Sequence, residues 1–239
     1  MDKKAALRQL AEEVSRCHLC AQLKTPPHST YGEYLENDGH GLDTDTPYVN
    51  LWNLWNYNLD ADILVVGQDY GTREEFAHPT TADLTETTLK TLFHETFGID
   101  LTAPNAPVFF TNAACCYRHN KTTGGAHTGW LPICANKFLG RLIAIIQPKI
   151  IIALGYNAFT ALSCLDGLPL TCHDPRADAK DTLADTMRGT YSLTAEGKDI
   201  AVFPVYHTGA LGHRNRPIEQ QKEDWRRIAA QMPLPQIPS

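Results

Sequence analysis

No apolar stretch in this chain approaches the roughly 20 residues that a membrane-spanning helix needs; runs such as Ile150 to Leu154 are far shorter. The start, Met1-Asp2-Lys3-Lys4 and an amphipathic stretch, has neither the apolar centre nor the cleavage pattern of a signal peptide. The chain is therefore expected in the cytoplasm, without a membrane partner. A paired set of cysteines is also missing. There are seven, at positions 17, 20, 115, 116, 134, 164 and 172, and an odd count in a cytosolic protein argues against a disulfide framework and towards metal binding or buried thiols. Internal repeats and low-complexity tracts are absent. So is an excess of positive charge: the net charge is −6. Acids are nevertheless missing locally. Between Leu101 and Leu165 there is no Asp or Glu, while Arg118, Lys121, Lys137, Arg141 and Lys149 are present, and a second basic group, His213-Arg214-Asn215-Arg216, follows later. Phosphate contacts depend on such patches rather than on net charge. One positive face and a mixed solvated surface fit this pattern about equally.

What is present suits one compact α/β domain over residues 1–239: 43% hydrophobic and 20% charged residues are ordinary for a globular chain. Lys4 to Arg16 carries Leu7, Leu10, Ala11 and Val14 at helical spacing. Residues 24–60 are rich in Pro, Gly, Asn, Asp and aromatics, with Trp52, Trp55 and Tyr57, and read as an irregular insertion after an N-terminal segment, 1–23. Short apolar runs predict strands at Ile63–Gly67, Pro107–Phe110, Ile150–Leu154 and Ile200–Val205. Helices are expected over Thr85–Phe97, Leu131–Ile146, Tyr156–Leu165 and Pro217–Met232. This alternation implies a three-layer α/β/α sandwich around a mainly parallel, four-stranded sheet. Ligands bind such sheets beyond the carboxyl ends of the strands, where Gln68-Asp69, Asn112 and His207 fall.

Cys17-His18-Leu19-Cys20, directly after a helix, is a strong metal signal that does not say which metal. Its remaining ligands would be distant cysteines brought in by the fold. Four widely and unevenly spaced thiolates suit a [4Fe–4S] cluster, with a zinc site as the runner-up. Cys164 and Cys172 read as small buried hydrophobes.

The order of the motifs carries a resemblance. Gly67-Gln68-Asp69-Tyr70-Gly71, Thr111-Asn112-Ala113-Ala114-Cys115-Cys116, Pro148-Lys149 leading to Leu154-Gly155 with Ala158, and Phe203-Pro204-Val205-Tyr206-His207 occur in sequence, with Arg188-Gly189 and Asp224-Trp225 in place. This set resembles the uracil-DNA glycosylase superfamily. It is most similar to the iron–sulfur family 4 type, with a family 1-like Gly-Gln-Asp motif. The resemblance implies cluster ligands at Cys17, Cys20, Cys116 and Cys134, with Cys115 as a substitute for Cys116. It implies hydrolysis of the N-glycosidic bond of uracil or a related deaminated base in DNA, by base flipping, as in base excision repair by a monomer. Asp69 would stabilise the cationic sugar and His207 would donate to the base carbonyl. Asn112 would read the base edge, and Gly67, Gln68 and Tyr70 or Phe76 would line the pocket. Leu211 would enter the minor groove, with Arg214, Arg216, Arg118 and Lys121 on phosphates.

Each residue also has a plainer reading: Asp69 as a cap, Asn112 as a turn residue, His207 as structural, Leu211 as a loop anchor. The pattern departs from the family where Tyr70 replaces proline and Thr208-Gly209 replaces Pro-Ser, and the family 4 stacking phenylalanine has no clear match. A catalytically inactive DNA-binding relative and an iron–sulfur or zinc protein with another role are the alternatives.

Overall fold

The computed structural model describes residues 2–23, 58–69, 84–103, 105–116, 129–173, 183–187 and 189–232. The expected insertion therefore lies outside the described residues except for 58–60, as do Tyr70, Phe76, Arg118, Lys121 and Arg188.

Helix α1 (Lys3–Ser15) begins where the Asp2 carboxylate accepts from the amides of Lys4 and Ala5, at 3.0 and 3.2 Å. Its buried stripe is Leu7, Leu10, Ala11 and Val14, as the spacing predicts. Polar clamps fix it to the body at both ends. The Lys3 ammonium donates to the carbonyls of Leu59 (2.9 Å) and Ile146 (3.1 Å), and Arg141 donates to Glu13 through both guanidinium arms.

The sheet is built from β1 (Ile63–Gly67), β2 (Val108–Asn112), β3 (Ile150–Leu154), β4 (Leu170–Cys172), β5 (Tyr191–Ala195) and β6 (Lys198–Val205). Its order is β2-β1-β3-β6-β5-β4, and the first four strands are parallel. β1 and β3 are buried at every position, as a strand covered on both faces must be. Alternation sends Leu64, Val66, Ile151 and Ala153 to one layer and Ile63, Val65, Ile150 and Ile152 to the other.

The first layer holds α1, α3 (Trp130–Cys134, continuing through a π-helical turn at Ala135–Leu139 into Gly140–Ile146) and α4 (Tyr156–Ser163). The second holds α2 (Leu84–Leu92, with a π-helical turn at Phe93–Phe97) and the last helix, Ile218–Ala230. Two further helices, α5 (Leu183–Thr186) and α6 (Ala210–Asn215), precede that helix, which is therefore α7. Among the described residues no helix is long and apolar enough to cross a membrane.

The α/β sandwich and its four parallel strands are as expected, but among the described residues the sheet has six strands rather than four. β4 and β5 extend it antiparallel. β5 alternates buried and more open residues, so it lacks the continuous apolar run that marks the parallel strands. A two-residue turn at Glu196-Gly197, with φ of 49° and 75°, joins β5 to β6; positive φ at both positions matches the twist of a hairpin. Cys172, expected to be buried, is exposed on β4.

In the second layer Phe93 stands edge-on to Trp225, with ring centroids 5.1 Å apart, and neither side chain is exposed. Phe93→Ala is expected to lower stability by about 3–5 kcal/mol, through lost transfer free energy and the cavity left behind. Urea unfolding of the two proteins measures the difference.

Candidate functional site

The parallel ladder does not stop at the strand ends. Gly67 is paired with Asn112, and the amides of Ala113 and Ala114 then donate to the carbonyls of Gly67 (2.8 Å) and Gln68 (2.9 Å). The two chains thus leave the sheet side by side, Asn112 on one and Gln68-Asp69 on the other. A Cβ at Gly67 would overlap the Asn112 Oδ1 atom, so glycine is what lets this amide lie across the end of β1.

Gln68, Asp69 and Asn112 are all half-buried. The Gln68 Nε2 amide donates to Asp69 Oδ2 at 2.7 Å. Gln68 Oε1 in turn accepts from Asn157 Nδ2, also at 2.7 Å. Asn157 lies in the first turn of α4, just past the end of β3. It was not among the residues expected at the site, although its place after Gly155 at a strand end could have suggested it.

β6 delivers His207. Its partner β3 is followed by Gly155, whose amide donates to the Val205 carbonyl (2.7 Å) and where an added methyl would lie 3.5 Å from His207 Cβ. The Gly209 amide donates to His207 Nδ1 at 2.9 Å. An Nδ1 that accepts carries no proton, so the imidazole is the neutral tautomer with its proton on Nε2. A neutral imidazole of this kind suffices as a hydrogen-bond donor. Thr208 and Gly209, the two departures from the family pattern, are both buried in this turn. Thr208 is fully buried and faces away from solvent, and its Oγ1 has no hydrogen-bond partner among the described residues. Gly209 acts through its backbone N–H, which every residue but proline has.

Helix α6 packs against this turn. A Cβ on Gly212 would overlap the His207 carbonyl oxygen, so the helix sits on the histidine backbone itself. His213 ties it to α2 through Thr88 Oγ1, at 2.9 Å. Leu211 is 61% exposed, which leaves the anchoring role without support. Arg214 is exposed as well.

Arg216 is placed differently from the expectation of a phosphate contact. Its Nε and Nη2 donate to the two oxygens of Asp224, each at 2.8 Å, and its Nη1 donates to Gln220 at 2.9 Å. The Asp224 hydrogen bonds push the Arg216 pKa above its usual value. The guanidinium is thus engaged within the chain, closing the turn between α6 and α7.

The cysteines gather between the end of α1 and the start of α3. Cys20, Cys115 and Cys134 are buried and Cys17 packs against the same core. The Cys115 amide donates to Cys134 Sγ at 3.2 Å. The thiol of Cys115 also bonds to that sulfur, which holds the Cys134 pKa below the usual thiol value and raises that of Cys115. Burial, then the nearby Cys134 and Cys17, pushes the Cys20 thiol up to about 11; burial also raises Cys17. Cys116, expected as the fourth ligand, is half-buried, whereas Cys115 is the one turned onto Cys134. The donor set is all sulfur, the chemistry of an iron–sulfur or thiolate metal site. Among the described residues, no three His, Cys, Asp or Glu side chains converge around a single ion.

Polar residues thus end or follow three of the parallel strands at the carboxyl edge of the sheet, with exposed Leu211 on the helix that packs on the His207 backbone. A family model of the uracil DNA glycosylase superfamily matches residues 54–230, and the chain belongs to that superfamily. No curated protein matches it with significant similarity.

The close packing of α6 has a consequence for His207. Gly212→Ala is expected to displace the His207 backbone, shifting the imidazole resonances in a proton–nitrogen spectrum and costing about 1–3 kcal/mol of stability. Unchanged His207 resonances would contradict this account of the turn.

Proposed function

We propose that the protein is a DNA glycosylase that hydrolyses the N-glycosidic bond of uracil or a related deaminated base flipped out of DNA. The observation that carries this reading is the delivery of Asp69, Asn112 and His207 to one edge of the sheet, on β1, β2 and β6. The pairing of Gly67 with Asn112, the bond between Gln68 and Asn157 and the bond from the Gly155 amide to the Val205 carbonyl link these strand ends.

Breaking the bond leaves the sugar cationic and the base anionic. Asp69 offers a fixed negative charge for the sugar carbon. His207 offers its Nε2–H to the base carbonyl oxygen as that oxygen gains charge, without becoming an acid first. The amide of Asn112 can donate to a ring carbonyl and accept from a ring N–H, which reads a uracil edge. A water then adds to the sugar carbon, and its proton leaves to a carboxylate or to the departing base. Leu211, exposed beside this turn, would fill the gap that the flipped base leaves in the duplex. Arg214, exposed on the same helix, would meet a phosphate.

A [4Fe–4S] cluster held by Cys17, Cys20, Cys134 and a fourth cysteine would tie α1 to α3 and to the chain leaving β2. The family pattern assigns the fourth place to Cys116; Cys115, whose thiol bonds to Cys134, is the other candidate.

The test is incubation with DNA containing uracil, hypoxanthine or xanthine, followed by alkali to reveal abasic sites. Cleavage is expected, with Asp69→Ala and His207→Ala each lowering turnover by about 100- to 1,000-fold, as when one electrostatic contributor is removed. Bound DNA with no cleavage of any of the three would assign the protein as a binding module instead. Leu211→Ala should weaken excision from double-stranded more than from single-stranded DNA, because only a duplex leaves a gap to fill. For the cluster, brown colour and iron bound to the fresh protein are expected, with loss in either Cys115→Ser or Cys116→Ser naming the fourth ligand. A colourless protein binding zinc would overturn it.

A further inference from the structure

The two amides behind Asp69 form a chain with one possible polarity. An ionised carboxylate only accepts hydrogen bonds, so Gln68 must present its NH2 group to Asp69 Oδ2. Its carbonyl oxygen then faces Asn157, which must supply its own NH2, as it does at 2.7 Å. Asn157 is able to do this because Gly155, at a φ of 87°, turns the chain out of β3 and starts α4 with Asn157 directed back over β1. All three side chains are half-buried, where competition from water is reduced.

We infer that Asn157 is a positioning residue: acting through Gln68, it fixes which end of the Gln68 amide meets Asp69 and thereby the orientation of the Asp69 carboxylate. This deepens the glycosylase reading and rests on it for its kinetic consequence. Without Asn157 the Gln68 amide is held by Asp69 alone, and with an acceptor in its place the amide is drawn to turn its NH2 group towards position 157. Its carbonyl would then face Asp69, two acceptors meeting where a hydrogen bond had been.

The inference sets an order of severity that packing alone would not. Asn157→Asp keeps the shape of the side chain but replaces the donor with a charged acceptor. It should lower kcat by about 10- to 100-fold, the worth of a hydrogen bond to a charged group, with KM changed by less. Asn157→Ala, which removes more atoms, should be the milder variant. In a Gln68→Met background, which has no amide to turn, Asn157→Ala should add no further loss, as expected of residues acting in series.

A packing role predicts the reverse order, with Asn157→Ala worse than Asn157→Asp, and equal losses with or without Gln68; either result would overturn the inference. A readout independent of activity separates this failure from that of the glycosylase reading. The Gln68 side-chain NH2 resonances should move in Asn157→Asp and in Asp69→Asn, whether or not any base is excised. Gln68 resonances that stay in place in both variants would sink the relay even in an active enzyme. Moved resonances in a protein that cleaves no base would keep the relay and remove the activity.

Discussion

The candidate site depends on the register of β1 between β2 and β3. In a parallel ladder the strand ends sit at one edge, so pairing Gly67 with Asn112 also sets Gln68 and Asp69 alongside the chain that follows Asn112. A slip of one residue would reverse which face each side chain occupies. Isoleucines, leucines and valines buried on both faces of β1 and β3 resist such a slip, because every one of them would have to exchange its layer. The apolar core thereby acts as the positioning device for a polar edge.

Backbone groups, rather than side chains, do much of the fine positioning at that edge. The Gly209 amide sets the tautomer of His207, and the amides of Ala113 and Ala114 carry the ladder past the end of the sheet. Glycines at 67 and 212 permit contacts that a methyl group would block. At the turn after β6 Thr208 is buried away from solvent and Gly209 contributes its N–H to His207.

The cysteine region has a different logic. It joins the end of α1, the chain after β2 and the start of α3, and Cys134 is the sulfur on which the others bear. The Glu13–Arg141 and Lys3 clamps hold the same helix to the same body from its two ends. Since both partners of the Glu13–Arg141 pair are a third or more exposed, that contact alone is worth little; the buried face of Leu7, Leu10, Ala11 and Val14 contributes more.

The parallel half of the sheet was legible in the sequence because its strands are unbroken apolar runs, and the order of Asp69, Asn112 and His207 at their ends pointed to the family. β4 and β5 were not legible, since a half-exposed strand mixes Thr and Ser with apolar residues and carries a weaker signal. Asn157, the Gly212 contact and the turning of Cys115 onto Cys134 were decided only by the tertiary structure. The Gln68–Asn157 bond spans 89 residues and the Cys115–Cys134 contact 19, while the Gly212 contact depends on how the chain turns between His207 and α6; residue type and local period carry no information about any of these. Arg216 is a local case: its sequence context is basic, but the turn from α6 into α7 puts Asp224, eight residues on, within reach of its guanidinium.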